Sequence, residues 1–145
     1  MNKIKFEIVT PERVVLQENI TQVTVPTREG EITVLPNHIP LVAMLVPGVV
    51  EVKTAERTEI ISVSGGLLEV LKDKVVILAD TAERAHEIDI DRAEEARAKA
   101  EKLKLEAVHR DDVDYASLRL IIEKEMARAR AAKKWRKIKG PENVS

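Results

Sequence analysis

Few residues in this chain combine type and spacing in a way that supports chemistry. The three histidines, His38, His86 and His109, lie far apart, and the absence of Cys rules out thiolate chemistry and disulfides. Glu83 and His86 form a single Glu-x-x-His, whereas a carboxylate-bridged metal site needs a second copy and acids from other helices. His86-Glu87 lacks the second His of a zinc-protease helix, and Ser64-Gly65-Gly66 has neither a nucleophile elbow nor a phosphate loop's Lys-Ser/Thr ending. The sequence therefore predicts no catalysis and no bound metal. The informative group is Ile88-Asp89-Ile90-Asp91-Arg92-Ala93. Asp89 and Arg92 stand one helical turn apart, so the acid can accept from a base or ribose while the guanidinium forks onto phosphate. The same six residues also read as a plain helix start, with Asp89 as N-cap or first-turn acid paired with Arg92.

That group sits where one periodicity gives way to another. Ile4, Phe6 and Ile8 alternate with Lys3, Lys5 and Glu7, the period of a half-buried strand. Further short stretches follow around residues 13–16, 22–25, 31–35, 49–53, 59–63, 67–71 and 74–79, separated by turn signals such as Thr10-Pro11, Pro36-Asn37, Pro47-Gly48 and Gly65-Gly66. Many short strands at regular spacing predict a sandwich or barrel. Beyond Thr81, Ala93, Ala96, Ala100, Leu103 and Ala107 take up a three-four spacing that predicts a helix over about 91–107. The residues between the helices, His109 to Asp112, include an acid suited to cap the next one. Tyr115, Leu118, Ile122, Met126 and Ala129 then mark a second apolar stripe. Two amphipathic helices joined by about six residues are expected to pack antiparallel.

Composition divides the chain at the same place, into a domain over 1–86 and a helical domain over 87–145. The first part holds five of the six Pro and four of the five Gly. Its charge is 9 Lys or Arg against 12 Asp or Glu, and the second part carries 15 against 13. Residues 126–139 contain seven basic residues, Arg128, Arg130, Lys133, Lys134, Arg136, Lys137 and Lys139, and no acid. Such an end suits an acidic partner, and equally a solvated helix whose cations complement the C-terminal dipole. A nucleic-acid role is not expected, because Trp135 and Tyr115 are the only aromatic residues near these cations. A strand pattern directly after Met1 leaves no room for a signal segment, and no apolar run reaches the roughly 18 residues of a membrane span. An intracellular protein is expected, with any membrane association made through partners.

Several stretches taken together resemble a known family. Glu29-Gly30-Glu31-Ile32, Leu35-Pro36-Asn37-His38-Ile39-Pro40-Leu41, Ser64-Gly65-Gly66-Leu67-Leu68-Glu69-Val70 and Val76-Ile77-Leu78-Ala79-Asp80-Thr81-Ala82 are similar, in this order, to the epsilon subunits of the bacterial F-type ATP synthase. The likeness continues through Asp112-Val113-Asp114-Tyr115 and covers nearly the whole chain. It implies an N-terminal ten-stranded β-sandwich followed by a C-terminal antiparallel two-helix hairpin. It further implies a non-catalytic rotor subunit of the central stalk, peripheral on the cytoplasmic face of the bacterial membrane. There it binds the gamma subunit and the c-subunit ring and couples proton transport to ATP synthesis. The Glu31 and His38 region is implied to face the ring.

In bacterial members the segment matching Ile88, Asp89, Arg92 and Ala93 binds ATP as a regulatory ligand. An acid matching Glu83 and basic residues at Lys124 and Arg128 complete that implied site. Lys124 stands where arginine is expected in the strongest binders, and lysine keeps the charge but loses the fork. Asn37 replaces the family's usual Gly, which suits a positive φ. The expected mechanism has base and ribose near Glu83, Ile88 and Asp89, with phosphates near Arg92, Lys124 and Arg128. Without ATP the hairpin extends its inhibitory basic end (Arg128, Arg130, Lys133, Lys134, Arg136, Lys137) into the alpha/beta catalytic head and blocks hydrolysis. The alternative is a constitutive structural coupler whose hairpin ignores nucleotide.

Overall fold

The computed structural model describes residues 2–107 and 115–139. Ten strands come first: β1 (Ile4–Val9), β2 (Val14–Ile20), β3 (Gln22–Thr27), β4 (Gly30–Val34), β5 (Leu41–Leu45), β6 (Gly48–Lys53), β7 (Thr58–Val63), β8 (Gly66–Val70), β9 (Lys74–Ala79) and β10 (Ala82–Arg84). A single 3-10 turn at Ala85–Glu87 leads into α1 (Ile90–Ala107), and α2 (Tyr115–Lys139) follows.

The strands hydrogen-bond in the order β10-β7-β6-β3-β5-β8-β9-β1-β2, with β4 paired to β3, and this path folds over itself as a sandwich. Pairing is antiparallel except where β1 lies parallel to β9. The alternation that marks the strands in sequence is the alternation of burial: Ile4, Phe6 and Ile8 of β1 share one core with Val23, Val25, Val50, Val52, Leu68 and Ile77. Two backbone positions need their residue types. Asn37 takes φ 67° in the turn after β4, where its short side chain tolerates the left-handed region. Gly66 takes φ 140°, and a Cβ there would stand 2.8 Å from the Ala79 Cα across the β8–β9 pair.

Two strands have no counterpart in the alternation pattern. β5 shows apolar residues on both faces, so period two is hidden, and β10 is a short polar segment held by pairing with β7. With them the sheet reaches the ten strands that the family resemblance implies.

Strand β7 is almost wholly buried because it is covered twice. Ile61 and Val63 point into the sandwich, while Ile60 points into a second cluster with Ala85, Ile88, Ala93, Ala129, Ala131 and Ala132. α2 lies between α1 on one side and β6–β7 on the other. The start of α1 meets the end of α2, so the helices run antiparallel, as Lys133 bonding Glu94 demonstrates.

The predicted helical stripes require correction. On α1, Ala93 and Ala100 are buried, but Leu103 is exposed. On α2, Ile122 and Ala129 are buried while Met126 is exposed, and Ala127 and Ala131, on the opposite side, are fully buried. A helix packed between two neighbours buries two faces, and a single-stripe reading finds only one. Residues 108–114, which hold His109 and the acids expected to cap α2, lie outside the described residues, as does the Tyr115 side chain.

Candidate functional site

Asp89 has the geometry of a helix cap. Its Oδ1 accepts from the backbone N–H of Asp91 at 3.0 Å and of Arg92 at 3.2 Å, so the acid engages the backbone of Arg92 and not its guanidinium. Ile88 and Ala93 are buried in the alanine-rich cluster, whereas the Arg92 side chain is exposed on the first turn of α1.

Glu83, Lys124 and Arg128 come together elsewhere. They line a cleft of about 390 Å³ between the sandwich and α2, whose other walls include Arg13, Asp80 and Glu87. Arg128 donates from Nε to Glu83 Oε2 at 2.7 Å and from Nη2 to Oε1 at 3.3 Å, a bidentate fork, while its Nη1 reaches Glu125 at 2.9 Å. Donation to the Glu83 carboxylate is the main cause that raises the Arg128 pKa above its ordinary value. The site residues thus divide: three line the cleft, two are buried beside it, and Asp89 and Arg92 stand at the exposed start of α1.

The basic end of α2 is partly engaged by acids of the chain itself. Lys133 Nζ lies 2.7 Å from Glu94 on α1, and Lys134 Nζ lies 2.5 Å from Glu51 on β6. Arg130, Arg136 and Lys137 are exposed. Arg130 and Lys134 also line a second cleft, whose opposite wall includes Glu31 at the start of β4. His38 lies in the turn after β4, with Nδ1 2.7 Å from the Ile39 carbonyl.

Two features escaped the sequence reading. The first is an apolar patch on the outer face of β5, β8 and β9, where register sets Met44 beside Leu67 and Leu67 beside Leu78. Val42 and Ile39 extend it, at 65% and 75% exposed. Apolar residues at both parities of 41–45 were its signal. The second is Glu59 on β7, 4% exposed, which accepts from Arg84 Nε at 2.7 Å and Arg57 Nε at 3.4 Å. Burial pushes its carboxyl pKa up, but the bonds and charges of Arg84, Arg57 and His86 outweigh burial and leave it below the ordinary value. His86 in turn lies against Trp135 of α2, with ring centroids 6.0 Å apart. An acid inside the buried run Thr58–Val63 was the signal here, but its partners are remote in sequence.

No helix among the described residues is long and apolar enough to cross a membrane. Residues 3–85 match the family described as ATP synthase, Delta/Epsilon chain, beta-sandwich domain. The ATP synthase epsilon chain of Chloroflexus aggregans is 48% identical over 89% of this chain and 91% of its own length. That of Moorella thermoacetica is 44% identical over 91% and 98%. Among solved structures, a chain of the Euglena gracilis mitochondrial ATP synthase, from its OSCP/F1/c-ring assembly, superposes with TM-score 0.75 at 25% identity, covering 88% of this chain and 79% of that one. A chain of the Tetrahymena thermophila mitochondrial ATP synthase shares the fold, with TM-score 0.54 at 15% identity over 93% and 98%. A sandwich that matches the family from its first strand to its last, with relatives that continue through the helices, identifies the chain as a member of the ATP synthase epsilon chains, non-catalytic subunits of that complex.

Proposed function

We propose that the chain is a rotor subunit of the proton-translocating F-type ATP synthase, and that its C-terminal hairpin is an ATP-sensitive brake on hydrolysis. The sandwich is the coupling part. Its apolar face around Val42, Met44, Leu67 and Leu78 suits a permanent protein partner, here the gamma subunit, because contiguous exposed apolar area marks interaction surfaces. Glu31 and His38 are the polar contacts offered to the c-subunit ring. The subunit sits peripherally on the cytoplasmic face of the membrane, held there by the complex.

The observation that carries the regulatory reading is the Arg128 fork in a cleft shared with Lys124. A phosphate group is the other anion such a fork binds, and it would take the place of Glu83. The hairpin's seat is alanine-rich and therefore weakly held, since each Ala buries about 2.4 kcal/mol less than a Leu would. Moving such an element from 1:99 to 99:1 takes about 5.5 kcal/mol of differential binding, and charge-assisted hydrogen bonds contribute about 1.5–3 kcal/mol each. Two or three phosphate contacts unique to the docked form suffice. When ATP is scarce the hairpin leaves its seat and the basic end of α2, about 20 Å long over residues 126–139, meets acidic surface in the alpha/beta head.

Isothermal calorimetry on the isolated chain tests the ligand: ATP binds, and Arg128→Ala, which removes the fork from the cleft, abolishes binding with an unchanged circular dichroism spectrum. Undiminished binding in Arg128→Ala defeats the nucleotide reading of this cleft, and Arg92→Ala measures whether the exposed start of α1 reaches the ligand. Truncation after Ala107 tests the brake. It is expected to relieve inhibition of hydrolysis by the assembled complex at low ATP, and unchanged activity defeats the inhibitory reading.

One observation favours the constitutive coupler: with Glu83 and Glu125 the Arg128 guanidinium is already satisfied, so the hairpin docks without a nucleotide. Absence of any ATP heat would select that reading.

A further inference from the structure

The cations of the cleft do not all come from α2. Arg13 lines the same cleft from the loop joining β1 to β2. That loop is shaped locally: the Thr10 hydroxyl oxygen accepts from the backbone N–H of Glu12 and of Arg13, and the Thr10 N–H bonds the Arg13 carbonyl at 2.9 Å. A turn fixed at its base presents the Arg13 side chain to the space opposite Lys124 and Arg128. The guanidinium is lightly held, 3.6 Å from Glu87 with both side chains close to half exposed, and exposed pairs of that kind contribute little. Arg13 is therefore freer to turn to an incoming anion than Arg128, which must first part from Glu83.

A third cation reduces the excess of acid in the cleft. The cleft walls carry Glu12, Asp80, Glu83 and Glu87 against Arg13, Lys124 and Arg128. Lys124 and Arg128 alone would face twice their number of carboxylates, a poor setting for a polyphosphate.

We infer that Arg13 is a phosphate-binding residue of this cleft, so that a nucleoside polyphosphate is gripped from the sandwich and from α2 at once. This rests on the nucleotide reading above and changes its mechanics. A ligand held only between the helices would tie them to each other and leave the pair free to depart. A ligand spanning Arg13 and Arg128 staples α2 to the sandwich, the contact that must break for the hairpin to extend. It also gives a nucleotide purchase where Lys124 offers no fork, because Arg13 does.

The test is calorimetric titration of the full chain with ATP at low ionic strength, comparing wild type, Arg13→Ala, Arg13→Lys and Arg119→Ala, the last an exposed arginine of α2 paired with Glu123. Thermal melting of each unliganded variant is the control for folding. Expected is a loss of about tenfold or more for Arg13→Ala, a smaller loss for Arg13→Lys, wild-type affinity for Arg119→Ala, and unchanged melting throughout. Wild-type affinity in Arg13→Ala overturns the assignment and leaves the nucleotide reading standing. No binding by the wild-type chain at millimolar ATP overturns both. If Arg13→Ala melts early, Arg13→Lys decides, since it keeps charge and loop while removing the fork.

Discussion

The two buried clusters of this molecule are made of different material. The sandwich core is filled by Phe6, Ile8, Ile20, Leu68 and Ile77 among close-set valines. The seat of the hairpin is filled by Ala85, Ala93, Ala129, Ala131 and Ala132 around Ile60 and Ile88. Large side chains bury more apolar area per residue and leave a costly cavity when removed. Alanines let a helix come close but give little that resists its departure. One region is held by bulky interlocking side chains, and the other by the close approach of small ones.

That contrast is open to direct attack. Phe6→Ala is expected to lower the stability of the sandwich by about 3–5 kcal/mol, read from urea unfolding. A loss under about 1 kcal/mol would deny the core its dominance. Ala131→Leu places bulk in the seat and is expected to cost docking about 1–3 kcal/mol through overpacking. Amide exchange in α2 should speed up while the urea transition of the sandwich stays in place; if both move together, the clusters are one cooperative unit.

Glu59 gives the contrast a pH axis, because it lies in β7 beneath α2. Its folded pKa is below the ordinary 4.5. The stability it contributes is therefore complete above that value and is lost as pH falls through the lower folded one. Between those two values Glu59→Gln should flatten the decline in stability with acid, measured by urea midpoints at each pH, and an unchanged slope would remove Glu59 as its source. The smallest effect belongs to the lysine contacts. Glu51→Gln and Glu94→Gln remove the partly exposed acids that meet Lys134 and Lys133, and exposed pairs contribute little, so the double variant should raise α2 exchange modestly at low salt and not at high salt. Equal acceleration at both salts would mean that packing, not charge, holds the basic end.

The sequence was legible where one physical rule acted alone. Period two located β1, β3 and β9, and the turn chemistry of Asn37 anticipated its positive φ. Reading failed where two neighbours acted on one element. β5 faces a core on one side and presents Val42 and Met44 outward, so its alternation vanished. α2 packs on both sides, so Ala127 and Ala131 fell outside the expected stripe. At the candidate site Glu83, Lys124 and Arg128 were found by family likeness, and they do share a cleft. Arg13 and Glu59 were missed because their partners, Glu87 for one and Arg84 for the other, are supplied by tertiary folding over separations that no local pattern encodes.

The parallel pairing of β1 with β9 has a consequence for biosynthesis. Lys5 pairs with Lys74 and Val9 with Leu78, so β1 waits during synthesis for almost the last strand of the sandwich before that edge is covered. Non-local pairing of this kind is slow compared with helix formation. β6 and β7, on which α2 rests, are nevertheless translated well before α2. The landing surface can thus be finished before the element that lands on it exists, and the basic end of α2 can be parked as it emerges, before the subunit meets any acidic partner.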